Sequence, residues 1–294
     1  MTKLDDQEII LSGRFVKIAR FKEEWDIDVN NPQEIVDQIR KAGISADIYT
    51  FMQRLPYSKP NFNYFLEWDN AAALPITTYE NWFKNQLHQN PRNKLRIAQK
   101  KGVILKYCEF NDELIQGITE IYNEAPFRQG KKFPDYGITF EETRKGHATF
   151  LDRATFIGAY FEDELIGFIK VVSTDRYART MGILAKVAHR DKAPMNLLIA
   201  KAVELCAERK YPYLVYGKYT YGKIGSDTLQ EFKRYLGFES ITLPRYYIPV
   251  NAKGRLALKL NLHEGIVGLM PRKLIRTLLA LRSRWYSRKT ESNP

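Results

Sequence analysis

ATFIGAYFEDELIGFIKVVST, residues 154–174, is the stretch on which the fold turns. Two runs of β-branched, aromatic and small apolar side chains, Ala154–Phe161 and Leu165–Thr174, flank the polar Glu162–Glu164. That pattern predicts two antiparallel strands joined by a tight turn. Downstream, a third strand is predicted over Thr180–Ala188. Pro194 then stands where a first helical turn begins, and Leu198, Ala202, Leu205 and Cys206 recur at helical spacing. Tyr211–Gly217 (YPYLVYG) supplies a further strand, Asp227–Tyr235 a helix closed by Leu236-Gly237-Phe238, and ITLPRYYIPV terminal strand material.

Upstream, Trp82, Phe83, Gln86, Leu87, Leu95 and Ala98 predict helix from Thr78 to Lys101, stopped by Gly102 and kinked or split by Pro91. A strand (Val103–Phe110), a helix opened by Asn111-Asp112-Glu113 and reaching Asn123, a loop over 124–137, and a helix over Thr139–Leu151 follow. The first 78 residues read as a small α/β segment. It has a strand at Ile9–Phe21, a helix from Pro32 to Ala42 capped by Asn31 and ended by Gly43, and strands at Ile48–Phe51 and Phe62–Trp68. NAAALPITT (70–78) reads as a connector. The expected organisation is an N-terminal α/β segment (1–78), a main α/β body (79–250) and a basic helical tail (251–294).

The chain has 294 residues, 44% of them hydrophobic, so a sizeable core can form. Its formal charge is +12, but residues 251–294 hold ten basic and two acidic residues, leaving only +4 for the first 250. Anion affinity therefore belongs chiefly to the tail, and a nucleic-acid-binding body loses most of its support. Two cysteines, Cys108 and Cys206, exclude a disulfide framework or a Cys-rich zinc site and point to a reducing, cytoplasmic setting. Met1–Ile10 lacks a signal-peptide pattern, and no stretch approaches the ~18 uncharged apolar residues of a membrane span. P-loop, dinucleotide, nucleophile-elbow and zincin motifs have no match in the sequence.

The order of these elements, with RNKLRIAQKKGV (Arg92–Val103) and LQEFKRYLGFE (Leu229–Glu239), resembles the GNAT acyltransferase superfamily. Within it, the sequence is most similar to Fem-type (FemAB-like) peptidoglycan aminoacyltransferases and their cell-envelope relatives. The likeness covers residues 79–250, more weakly 1–78, and not the tail. It implies an α/β fold with a mixed, mostly antiparallel sheet, flanking helices and two central parallel strands, Thr180–Ala188 and Tyr211–Gly217, that splay apart near Leu184 and Val215. It further implies an N-acyltransferase that moves an acyl group to an amine of a cell-envelope or polysaccharide precursor. Acyl-CoA (acetyl-CoA) is the expected donor, aminoacyl-tRNA the alternative donor, and a catalytically inactive membrane-surface tether the alternative from another class. No metal is required.

In that superfamily donor phosphates rest on the loop and helix start after the first splayed strand, which here is HRDKAPMN (His189–Asn196). This loop departs from the pattern, because no glycine lies between Gly182 and Gly217. Arg190, Lys192 and Asn196 remain candidates for binding the donor, against the plain reading of a strand–helix connection. A tyrosine acid is common three residues before the final Leu-Gly-Phe; Lys233 stands there, in the Phe232-Lys233 pair that matches the Fem-type pattern. Its ammonium is a candidate to hold an oxyanion or a phosphate, against a solvated helix face. The glycine-rich, basic loop Gly217–Asp227 adds Lys218 and Ser226 as donor-binding candidates and Tyr219 as a catalytic one, Ser226 or Asp227 otherwise serving as a helix cap. Among the four histidines, His189 is the candidate base; His88 and His147 read as surface or core residues, and Glu67 as a carboxylate able to face a cleft.

In the tail, Leu274, Ile275, Leu278, Leu279 and Trp285 line one helical stripe over Pro271–Tyr286, ringed by arginines and Lys273. This predicts a surface helix on an anionic membrane, placing the protein in the cytoplasm and peripherally on the membrane's inner face; packing on the protein's own surface and binding of tRNA are the other readings.

Overall fold

The computed structural model describes residues 2–4, 7–221 and 227–265. In chain order, β1 (Thr2–Leu4), β2 (Gln7–Ser12) and β3 (Ile18–Phe21) precede α1 (Pro32–Lys41), β4 (Ile48–Met52) and β5 (Phe65–Pro75). The short turn α2 (Tyr79–Asn81) runs into a wide π turn at Trp82–Gln86. Then come α3 (Gln89–Lys100), β6 (Ile104–Cys108), α4 (Asp112–Asn123), the two-residue strands β7 (Phe127–Arg128) and β8 (Lys131–Lys132), and α5 (Phe140–His147). The hairpin β9 (Ala154–Phe161) and β10 (Glu164–Ser173) leads to β11 (Ala178–Ala185), α6 (Pro194–Glu208), β12 (Tyr213–Val215), α7 (Asp227–Tyr235), β13 (Glu239–Pro249) and α8 (Ala252–Lys259).

These elements form two compact units. The first is built from the described residues of 1–70 and 242–265 with Thr220 and Tyr221; the second from 71–219 and 227–241. Strands β5 and β13 each begin in one unit and end in the other.

In the first unit β1, β2 and β3 form an antiparallel meander, β3 pairs in parallel with β4, and β4 pairs antiparallel with β13. The continuous strand expected over Ile9–Phe21 is therefore two strands, because Gly13, with φ +89°, turns the chain where an added Cβ would strike the Val16 carbonyl. Helix α1 starts as read from the sequence: Asn31 accepts the Glu34 N–H, Pro32 occupies the first turn, and Val36 and Ile39 are buried. They pack with Phe21, Tyr49, Phe51 and Tyr246 in an aromatic-rich core.

In the second unit the strand order is β6-β9-β10-β11-β12-β5, antiparallel except for β11 and β12. Helix α6 lies in the main core with Leu198, Ala202 and Val203 fully buried, joined by Trp82, Leu74 and Leu214. Helix α4 covers the other cluster through Ile115, Ile118 and Ile121. The expected hairpin is present, turned by Glu162 and Asp163 at positive φ. The long helix from Thr78 breaks at Leu87, whose backbone is extended, and restarts with Pro91 in the first turn of α3. Residues 70–78 are not a connector: Ala71–Leu74 are fully buried inside β5, since small apolar residues suit a strand enclosed by neighbours as well as they suit a linker. The helix expected to reach Leu151 ends at His147, where the side chain of Lys170 meets the last carbonyls. The architecture is the GNAT-like one the resemblance implied: a mixed, mostly antiparallel sheet with flanking helices and a central parallel pair.

Candidate functional site

That parallel pair is short. β11 and β12 match at only Ala178 with Leu214 and Arg179 with Val215. Beyond this point each strand keeps its other neighbour. The β11 arm stays with β10 through Thr180–Ala185, and Lys186 N–H donates to the Ile166 carbonyl at 2.8 Å. Past β12, Tyr216 N–H donates to the Ala72 carbonyl at 2.8 Å, and Ala72 N–H to the Gly217 carbonyl at 2.8 Å. The two arms are thus pulled apart by their outer partners, and a fork opens between them.

A cavity of about 340 Å³ occupies the fork's mouth. Leu184–Val187 wall it on one arm and Tyr216 on the other; the start of α6 and the α7 residues Thr228, Leu229 and Phe232 close it. Lys94, Arg128 and Arg190 also line it, Lys186 of the first arm is paired with Glu164 at 2.6 Å, and no carboxylate lines the cavity among the described residues. Such a rim suits an anionic ligand.

The turn β7–β8 completes the wall by gripping the end of β11. The Arg128 guanidinium donates to the Ala185 carbonyl at 2.7 Å and the Ile121 carbonyl at 2.6 Å, while the Glu124 carboxylate accepts the N–H groups of Val187 at 2.8 Å and Ala188 at 2.7 Å. Neither residue is legible as a site residue in the sequence. FRQGKKF shows only a basic loop around Gly130, and nothing in it announces a return to a strand some 60 residues later.

The predicted residues fall in different places. Arg190 and Asn196 line the cavity, Asn196 buried at the start of α6. Lys192 lies over the Phe161 ring at 4.4 Å and beside Asp191 at 3.6 Å, and it does not line the cavity. His189 is turned to Glu164, with Nε2 to Oε2 at 2.9 Å, and also stays off the cavity wall. Tyr219 packs against the main core, and Lys218 presents its carbonyl to Lys233. Ser226 and the tail helix at 271–286 lie outside the described residues.

Lys233 is fully buried. Its Nζ donates to the Lys218 carbonyl at 2.6 Å and sits 4.6 Å over the Tyr216 ring, so it braces the β12 arm from behind instead of facing the cavity. Burial pulls its ammonium down to about 8, because desolvation disfavours the charged form. Of the remaining candidates, His88 stacks on Tyr235 at the surface. His147 is buried near Tyr122, its pKa lowered to about 4 by burial and by Lys170. In the first unit Glu67 binds His263 Nε2 at 2.8 Å.

No family model and no curated protein matches this sequence. Solved structures do share its fold. The C-terminal domain (DUF2156) of a putative lysylphosphatidylglycerol synthetase from Agrobacterium fabrum aligns with a TM-score of 0.54 and 16% identity, over 85% of this chain and 83% of that one. L-PGS from Bacillus licheniformis aligns with a TM-score of 0.55 and 13% identity, over 89% and 86%. FemX aligns with a TM-score of 0.51 and 12% identity, over 80% and 72%. At these identities the likeness is one of fold, and it places this chain's architecture beside theirs.

Proposed function

We propose that this chain is an acyltransferase whose reaction centre is the fork of the second unit, moving an aminoacyl or acyl group to an amine of a cell-envelope precursor. The observation that carries this reading is the parting of β11 and β12 after two residue pairs, over a cavity with a cationic rim. An activated carbonyl seated there is attacked by the amine; the C–N bond forms, the carbon–heteroatom bond of the donor breaks, and the amine proton leaves with the departing group. Orientation of the two reactants supplies much of the acceleration in such a reaction. The name of one structural neighbour speaks of lysylphosphatidylglycerol synthesis, that is, of an aminoacyl group placed on a membrane lipid, which supports an aminoacyl donor; phosphatidylglycerol offers hydroxyls and no amine, so the amine acceptor rests on the family resemblance and not on this name.

Two observations favour an aminoacyl ester such as aminoacyl-tRNA over acyl-CoA as donor. First, the backbone groups that would pair with a pantetheine amide arm at the end of β11 are already taken, Ala185 C=O by Arg128 and the Val187 and Ala188 N–H groups by Glu124. Second, the start of α6 makes a poor pyrophosphate cradle. Pro194 brings no N–H, the Asn196 amide is spent on the Ala193 carbonyl at 3.0 Å, and Ala193 carries a Cβ at a φ of +48° where a glycine would open the backbone. Lys233 acts as a positioning residue: it fixes the Lys218 carbonyl and the Tyr216 wall.

The test is a pair of donors offered to the full chain. Calorimetry with acetyl-CoA is expected to show no saturable binding at millimolar ligand, while label from aminoacyl-tRNA passes to an amine in a cell-envelope precursor fraction. Saturable acetyl-CoA binding with acetyl transfer would replace the aminoacyl donor by the thioester. Transfer from neither donor would remove the enzyme reading in favour of a tether.

A further inference from the structure

We infer that the first unit carries a membrane-binding face of its own, made by α8 and the β2–β3 turn, that docks on an anionic phospholipid surface. It is independent of the transferase reading.

The placement of α8 forces the face outward. Gly254 approaches strand β4 so closely that an added Cβ would lie 1.8 Å from the Asp47 carbonyl oxygen, and Ala257 and Leu258 are buried against Ile48 on the same side. With positions 254, 257 and 258 pointing in, the residues between them point out. Leu256 is 56% exposed and Leu260 52%; Leu262 follows at 40%. The β2–β3 turn is anchored beside them. Asp47 Oδ2 accepts from Lys17 N–H at 2.8 Å and from Lys253 Nζ at 2.9 Å, and Val16 packs on the Ala257–Leu258 cluster. Next to Val16, Phe15 projects at 72% exposure, the most exposed large apolar side chain among the described residues.

Cations accompany these four apolar groups: Arg14, Lys17, Arg255 and Lys259 are exposed, while the carboxylate of Asp47 is buried and paired with Lys253, and that of Glu67 is held by His263. In sequence, residues 266–294 hold seven basic residues and one acidic one. Aliphatic and phenyl groups among cations suit a lipid boundary, where the apolar groups enter the acyl region and the cations meet phosphates. A nucleic acid would gain from the cations but has no place for leucine side chains, so lipid is the occupant the composition selects.

The experiment is flotation of the full chain with vesicles of phosphatidylcholine alone and with 30% phosphatidylglycerol, where 30% is a chosen composition on the order of natural anionic content. Binding is expected only to the anionic vesicles. The double substitution Leu256→Ser, Leu260→Ser is expected to weaken partitioning about tenfold or more, and Arg255→Gln about fivefold, with melting temperatures unchanged because these side chains are exposed. As a direct probe, Phe15→Trp is expected to shift its emission to the blue on anionic vesicles and to be quenched by brominated acyl chains. Undiminished flotation of the leucine variant, an unshifted Phe15→Trp emission, or retention on tRNA without flotation would each overturn the inference.

Discussion

The chain builds the same local device twice and finishes it in two ways. In the first unit β3, α1 and β4 make a strand–helix–strand crossover whose parallel strands match at only two positions, Ile18 with Ile48 and Ala19 with Tyr49. In the second, β11, α6 and β12 do the same, again with two positions. The first is packed with rings: Phe21 on Tyr49 at 5.9 Å between centroids, Tyr49 on Phe51 at 5.8 Å, Phe51 on Tyr246 at 5.1 Å and Phe51 on Phe62 at 5.7 Å. The second opens on the cavity. Brief parallel pairing is therefore not sufficient for a site. The side chains beyond the paired positions decide: large aromatic groups turn one crossover into core, while small and cationic groups leave the other accessible.

The sharpest way to break this contrast is to damage the packed crossover. Phe51→Ala is expected to destabilise the protein by about 3–5 kcal/mol, as truncation of a buried phenyl does, while transfer per folded molecule stays as in the wild type. Denaturant melts paired with activity measurements check this, and a loss of transfer beyond the unfolded fraction would show that the packed crossover shares in the chemistry. Plugging the open crossover is the converse. Val187 lines the cavity and is 44% exposed, so Val187→Trp is expected to fold normally and to lower transfer about 100-fold through a displaced donor. A variant as active as the wild type would place the reaction elsewhere.

Lys233→Met is expected to lower transfer about tenfold by loosening the Tyr216 wall, a positioning effect smaller than loss of a direct oxyanion donor. It carries its own pH signature. Because Lys233 holds its proton less tightly in the fold, with a pKa of about 8 against the usual 10.5, the unfolded chain binds more protons between those values. Its contribution to stability therefore rises as pH climbs from about 8 to about 10.5 and is least favourable below 8. Chemical denaturation across that range is expected to show this rise in the wild type and not in the methionine variant. The smallest effect is that of Glu124→Gln, which weakens the grip on Val187 and Ala188 and is expected to cost about 1–2 kcal/mol in a thermal melt.

Much of the second unit is legible along the chain because its signals are local. Runs of β-branched, aromatic and small apolar residues, the Glu162–Glu164 turn, Asn111 at a helix start and Pro194 at another all act within a few residues, and the structure places elements where they point. Two kinds of information are not local. Ala71–Leu74 read as linker because small residues carry no sign of how many strands enclose them, and only pairing with β12 makes them core. Lys233 stands out by position in a motif, but its burial depends on Tyr216 and the Lys218 carbonyl, which the sequence cannot bring beside it. The Arg128–Glu124 grip on β11 is the same case: two charged loop residues whose partners are backbone groups, and backbone groups leave no trace in a sequence.

The most direct measurement is equilibrium binding of a non-hydrolysable aminoacyl-adenosine, in which an amide replaces the ester of a charged tRNA end, to the wild type and to Val187→Trp. Saturable binding to the wild type that disappears in the tryptophan variant is the predicted result. Binding equal in both proteins, or acetyl-CoA bound where the adenosine analogue is not, would contradict the claim that the open crossover of the second unit receives an aminoacyl donor.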